Sequence, residues 1–135
     1  MKRRGSALVE FALAWPVLVL AVFAAIQLAV WATEEHAAGS AALAGARAGS
    51  ASGASADVAA TAAVAVLRPS LIGVTAVASC PPARREVKGV WVCAHVDARS
   101  ARVEVGGGVP ALLPLLGGGL PLHAHVELAR ETFAR

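Results

Sequence analysis

Apolar and polar positions are arranged along this chain in two different ways. From Phe11 to Thr33 there are 23 consecutive residues without a charge. As a helix rising about 1.5 Å per residue, such a run reaches about 35 Å, enough to cross a hydrocarbon core of about 30 Å. The pattern predicts one transmembrane helix over residues 6–33. Residues 34–68 then form an extension rich in Ala, Gly and Ser, with small residues recurring every four positions at Ala38, Ala42 and Ala46 and at Gly45 and Gly49. Ala is the best helix former, and small residues at this interval let helix backbones approach closely. The expectation is a helix from Ser6 to Ala48, a break in the Gly/Ser segment, and a second helix from Ala56 to Leu67 ended by Arg68-Pro69. A flexible linker is the competing reading of the extension.

After Pro69 the period changes to alternation. Ile72, Val74, Ala76 and Ala78 share one face of a first strand, and Val90, Val92, Ala94 and Val96 one face of a second. Ala101, Val103 and Val105 mark a third, and Leu120, Leu122, Ala124, Val126 and Leu128 a fourth. Asp97 to Ser100 reads as a short hairpin turn. Gly106 to Pro121 reads as a Gly/Pro loop around Leu112, Leu113, Leu115 and Leu116. The predicted fold class is therefore α+β: a long N-terminal helix, a second short helix, and over residues 69–135 a small antiparallel sheet of about four strands whose apolar face needs a helix to cover it.

Composition sharpens this picture. The chain of 135 residues is 57% hydrophobic but only 4% aromatic, so any core is small and aliphatic. The net charge of +3 comes from twelve basic and nine acidic side chains, and removing Lys2, Arg3 and Arg4 leaves nine of each. A nucleic-acid partner needs a basic excess on the folded domain, which this balance does not supply. The same three cations precede the apolar run and Glu34 and Glu35 follow it. That asymmetry puts the N-terminus in the cytoplasm and the β domain outside, with Trp31 at the level of an interfacial ring.

Cys80 and Cys93 are the only cysteines. In a compartment outside the membrane a disulfide is expected of them, closing a loop of 14 residues that carries Arg84, Arg85 and Lys88. The competing readings, a redox or a metal pair, would call for Cys-X-X-Cys spacing or more ligands. On the last strand, His123, His125 and Glu127 share a face and compose a candidate metal site, with His95 outward on another strand; a solvated polar face is the plainer account. Gly106 to Gly108 and Gly117 to Gly119 lack the strand-to-helix context and Lys of a phosphate loop, and no nucleophile elbow or working carboxylate pair is present. Neither an enzyme nor a cofactor is expected. The basic tip at Arg84, Arg85 and Lys88 reads as a solvated turn or a contact for an anionic partner.

Glu10 is the residue out of place. A carboxylate at the head of an apolar span costs up to about 2.5 to 3.5 kcal/mol at mid-membrane and less near the interface, so it either reaches the headgroups or serves a partner. It is the fifth residue after Gly5, which ends the basic leader, and Phe11 follows it. Basic leader, Gly, then Glu opening an unbroken apolar helix resembles the processing site of type IV pilin-like proteins. More narrowly, Gly5 to Ala32, with Glu10-Phe11-Ala12-Leu13 and Pro16, followed by Ala41 to Arg47, resembles the TadE-like minor pseudopilins of tight-adherence pilus systems. The resemblance covers residues 5–48 closely and the rest loosely.

The resemblance implies a leader of residues 1–5 removed by a prepilin peptidase, with Gly5, Ser6, Glu10 and Phe11 as the processing determinants. Ser6 stands where many pilins have Phe, and Phe11 where major subunits have Tyr. The freed amine of Ser6 lies one helical turn from Glu10, and an ion pair between such an amine and a carboxylate becomes favourable where water is excluded. Pro16, lacking an N–H, permits a kink within the span. Implied partners are the membrane, the peptidase, other pilin subunits and the assembly platform, with no small-molecule substrate. Two other readings of the N-terminus remain: a signal peptide with the mature chain starting at Thr33, and an uncleaved anchor displaying a binding module.

Overall fold

The computed structural model describes residues 4–81, 89–111 and 119–130, with side chains from Leu8 onward. Helix α1 runs from Arg4 to Ser50, 47 residues, and continues through Pro16. Helix α2 spans Ala56–Leu67. Its start is set by Ser55, whose hydroxyl accepts from the Val58 N–H at 3.4 Å, with Asp57 in the first turn where the helix dipole favours an acid. A short 3-10 turn, Arg68–Ser70, ends it at Pro69. Four strands follow: β1 (Ala76–Ala78), β2 (Val90–Val96), β3 (Ser100–Val109) and β4 (Leu120–Ala129).

The strands form one sheet in the order β1-β2-β3-β4, mixed rather than antiparallel. β2–β3 and β3–β4 are antiparallel as expected, but β1 runs parallel to β2, with Ala76 beside Val90 and Ala78 beside Val92. Alternation fixes which side chains share a face and says nothing about strand direction. The disulfide suits the parallel arrangement. Cys80 lies two residues past Ala78 and Cys93 one past Val92, and they are bonded with Cα atoms 4.6 Å apart. With Ala78 still beside Val92, an antiparallel β1 would carry Cys80 towards Val90, about 10 Å from Cys93 at the rise of a strand.

Two further boundaries differ from the sequence expectation. The first strand keeps only three residues: Gly73 adopts φ +75 and Ile72 is 58% exposed, while Val74 still packs against the core from outside the strand. The third strand is longer, taking in Gly106 to Val109 instead of ending in a loop. Packing explains that extension. Trp91 on β2 lies over Gly106, where any Cβ would collide with its indole, and Gly107 has φ +137 and passes against the Gly89 carbonyl. Glycine continues the strand here because nothing larger fits. The Asp97–Ser100 hairpin forms as expected, with Asp97 Oδ1 accepting from the N–H groups of Arg99 and Ser100, each at 2.8 Å.

The core lies between the sheet and the two helices. Ala38, Ala41, Ala42 and Ala46 of α1 and Ala59, Ala63 and Leu67 of α2 are fully buried, and they meet Val90, Val92, Val103, Val105, Val109 and Leu122. Contact is close because one partner is so often Ala or Gly. At Gly45 an added Cβ would stand 2.8 Å from the Ala59 carbonyl oxygen and 2.9 Å from Ala63 Cβ.

Candidate functional site

The apolar residues of α1 divide into two lengths. From Leu8 to Ile26 no described side chain is buried, and Leu8, Phe11, Leu13, Val17 and Leu18 are each more than half exposed. These 19 residues reach about 28 Å as helix. Among the described residues this is the one helix long and apolar enough to cross a membrane. Leaving so much large apolar surface in water is costly at about 25 cal/mol per Å², and exposed patches of this size mark surfaces covered by lipid or protein. Glu10 lies exposed near the start of this length, followed by Phe11, whose ring stacks on Trp15 one turn on at 6.0 Å. Gly5 and Ser6 lie in the first turns of the same helix.

The second length is held by the rest of the fold, and its polar residues mark where that begins. Gln27 is 2% exposed and Glu34 is also 2% exposed. Trp31, between them, donates from Nε1 to the Pro121 carbonyl of β4 at 3.0 Å. Glu34 Oε1 accepts from the Ile72 N–H at 3.2 Å, which holds the chain as it leaves the 3-10 turn. Among the described residues, the buried Glu35 Oε2 has no hydrogen-bond partner. Trp31 and Glu34 thus fasten the helix to β4 and to the segment that leads into β1. Residues 27, 31, 34, 38, 41, 42, 45, 46 and 49 recur at helical spacing along the packed side, and the small residues at 38, 42, 45, 46 and 49 are its sequence signal.

The remaining candidates are placed as follows. Cys80 and Cys93 form a disulfide. Cys93 Sγ lies 3.5 Å from His95 Nδ1, so Cys80, Cys93 and His95 make a tight group in which the two sulfurs are already joined. His123, His125 and Glu127 all face outward and are exposed on β4. Glu127 is engaged by Arg102 through Nη2 at 2.7 Å and Nε at 3.1 Å, and that hydrogen bond holds its carboxyl below the usual range while raising the guanidinium. His123 Nδ1 stands 3.9 Å from Glu104. The histidines therefore sit in a charged, solvated face, and Glu127 is committed to Arg102. Arg84, Arg85 and Lys88 and the Leu112 to Leu116 segment lie outside the described residues.

Among the described residues the most extended exposed apolar surface is the helix from Leu8 to Ile26. Nothing among curated proteins or solved structures matches the chain. A family model does, the one described as TadE-like protein, over residues 5–47. Those residues comprise the exposed apolar length, Glu10, and the part of the helix that docks on the sheet up to Arg47, so the N-terminal helix of this chain is its TadE-like segment.

Proposed function

We propose that this chain is a membrane-anchored minor pilin or pseudopilin of a Tad-type pilus or related secretion apparatus, a structural subunit that works by helix-to-helix assembly and not by catalysis. The observation that carries the reading is the coincidence of the TadE-like match, residues 5–47, with an exposed apolar helix that carries Glu10 near its head. Lipid covers such a helix before assembly, and neighbouring helices cover it afterwards. The basic residues Lys2, Arg3 and Arg4 keep the N-terminus cytoplasmic, so the disulfide-bonded sheet stands outside.

In this reading a prepilin peptidase cuts after Gly5 and leaves a charged amine on Ser6. Within the low dielectric of a helix bundle, an amine and a Glu10 carboxylate attract far more strongly than in water, and the neighbouring subunit's amine would fix the axial register of the helices. Mass spectrometry of the membrane-extracted protein should find Ser6 at the N-terminus, and Glu10→Ala should abolish pilus assembly while leaving the protein in the membrane. A mature chain starting at Thr33, or assembly that tolerates Glu10→Ala, would instead support a secreted or anchored binding module.

A further inference from the structure

Cys80, Cys93 and His95 form a group on the sheet, apart from the N-terminal helix on which the proposed assembly rests. The two sulfurs are unequal: Cys80 is exposed, whereas Cys93 is 8% exposed and on the outer face of β2. His95 follows on the same face, exposed, with Nδ1 3.5 Å from Cys93 Sγ. The other charges near this pair come from β3 and β4. Arg102 stands opposite His95 and is engaged by Glu127, while Glu104 stands opposite Cys93 and has His125 and His123 beside it. On the β1 side the described neighbours, Ala78 and Ser79, carry no charge.

We propose that Cys80–Cys93 is an exchange-active disulfide whose substrate is a thiolate, with Cys80 the attacked sulfur, Cys93 the leaving group, and His95 the cation that stabilises the departing thiolate. An incoming thiolate RS⁻ bonds to Cys80 Sγ as the Cys80–Cys93 bond breaks, and the electron pair leaves on Cys93 Sγ. The products are a mixed disulfide RS–S–Cys80 and a Cys93 thiolate paired with the imidazolium of His95. A second thiolate attacks the RS sulfur and releases RSSR and the Cys80 thiolate. In the reverse direction, the Cys93 thiolate attacks Cys80 and expels RS⁻. A leaving thiol departs faster as its pKa falls, and an adjacent imidazolium lowers that pKa. His95 is a positioning and charge-stabilising residue here, and the reaction opens the 14-residue loop that the disulfide closes.

The test uses the full chain in detergent micelles, exposed to 2-mercaptoethanol and quenched with iodoacetamide. Peptide mapping should place the mixed disulfide on Cys80 and the carbamidomethyl group on Cys93. The rate ratio of wild type to His95→Gln cancels ionisation of the attacking thiol and leaves Arg102 and Glu104 in place. It should be about tenfold near pH 6 and fall towards one by about pH 9. A second arm offers a thioredoxin-type protein keeping only its attacking cysteine. A trapped complex through Cys80 identifies a protein dithiol as the source, whereas trapping with the small thiol alone assigns a low-molecular-weight donor. Attack at Cys93, or a ratio that does not change with pH, overturns the proposal. His95 is exposed, so the substitution leaves the core intact.

Discussion

The same substitution should have opposite signs at two positions of α1 six residues apart. Gly39 and Gly45 both lie inside the helix, and a Gly in a helix interior costs about 0.5 to 1 kcal/mol relative to Ala. At Gly39 an added Cβ meets nothing within 4 Å, so Gly39→Ala should keep the full gain. At Gly45 the new methyl would stand 2.8 Å from Ala59 O, 2.9 Å from Ala63 Cβ and 3.2 Å from Val103 Cγ2. The first is backbone of α2 and the second is bonded directly to it, so relief requires moving the whole helix away from α1. Overpacking of this kind costs about 1 to 3 kcal/mol, and contacts under 3 Å to backbone and to a Cβ belong at the upper end of that range, about 2 to 3, so after the propensity gain a net loss of about 1 to 2.5 kcal/mol remains. One kcal/mol moves the melting temperature of a chain this size by about 4 °C. Differential scanning calorimetry of the full chain in detergent should therefore show Gly39→Ala melting about 2 to 4 °C higher than wild type and Gly45→Ala about 4 to 10 °C lower. If both substitutions raise the midpoint, α1 and α2 do not approach as closely as argued.

Other outcomes follow from the same structure. Leu67→Ala removes a fully buried side chain at the end of α2 and should cost about 2 to 5 kcal/mol in chemical denaturation, because little around it can collapse inward. Trp31→Phe keeps the ring but loses the bond to the Pro121 carbonyl, so it should cost about 0.5 to 1.5 kcal/mol and raise hydrogen exchange at the start of β4. Replacing both Cys80 and Cys93 by Ser should lower stability by about 3 kcal/mol, the chain-entropy value for a loop of 14 residues. Asp97 accepts from the Arg99 and Ser100 N–H groups, which hold its carboxyl below the usual carboxylate range. Its folded value being depressed, its contribution is present above the unfolded value of about 3.9 and is lost as pH falls through the lower folded value. Melting curves taken between about pH 5 and pH 2 should therefore fall less steeply for Asp97→Asn than for wild type.

Much of the fold was legible because its signals are local. Twenty-three residues without charge, a Pro after Leu67, and alternation along β2 and β4 each report on a single segment. Glu10 at the head of α1 is conspicuous for the same reason, since a carboxylate next to a long apolar run stands out within its own segment. The Gly106 to Gly108 segment was misread for the complementary reason. Glycines favour a loop until Trp91, fifteen residues earlier, is seen lying across Gly106. The direction of β1 was equally hidden, because a period of two is the same read forwards or backwards.

The sequence by itself determined the long helix, the short one, the faces of β2, β3 and β4 and the pairing of two lone cysteines, all consequences of hydrophobic periodicity or of count. Only the tertiary structure decided where α1 stops being exposed. Trp31 and Glu34 are fastened there by Pro121, ninety residues away from the tryptophan, and by Ile72. It also brought Cys80, which is exposed, to Cys93 beside β1, on the strand that carries His95. Such contacts depend on how separate segments are brought together, and that is set by close packing of Ala and Gly between helix and sheet, a property no single segment contains.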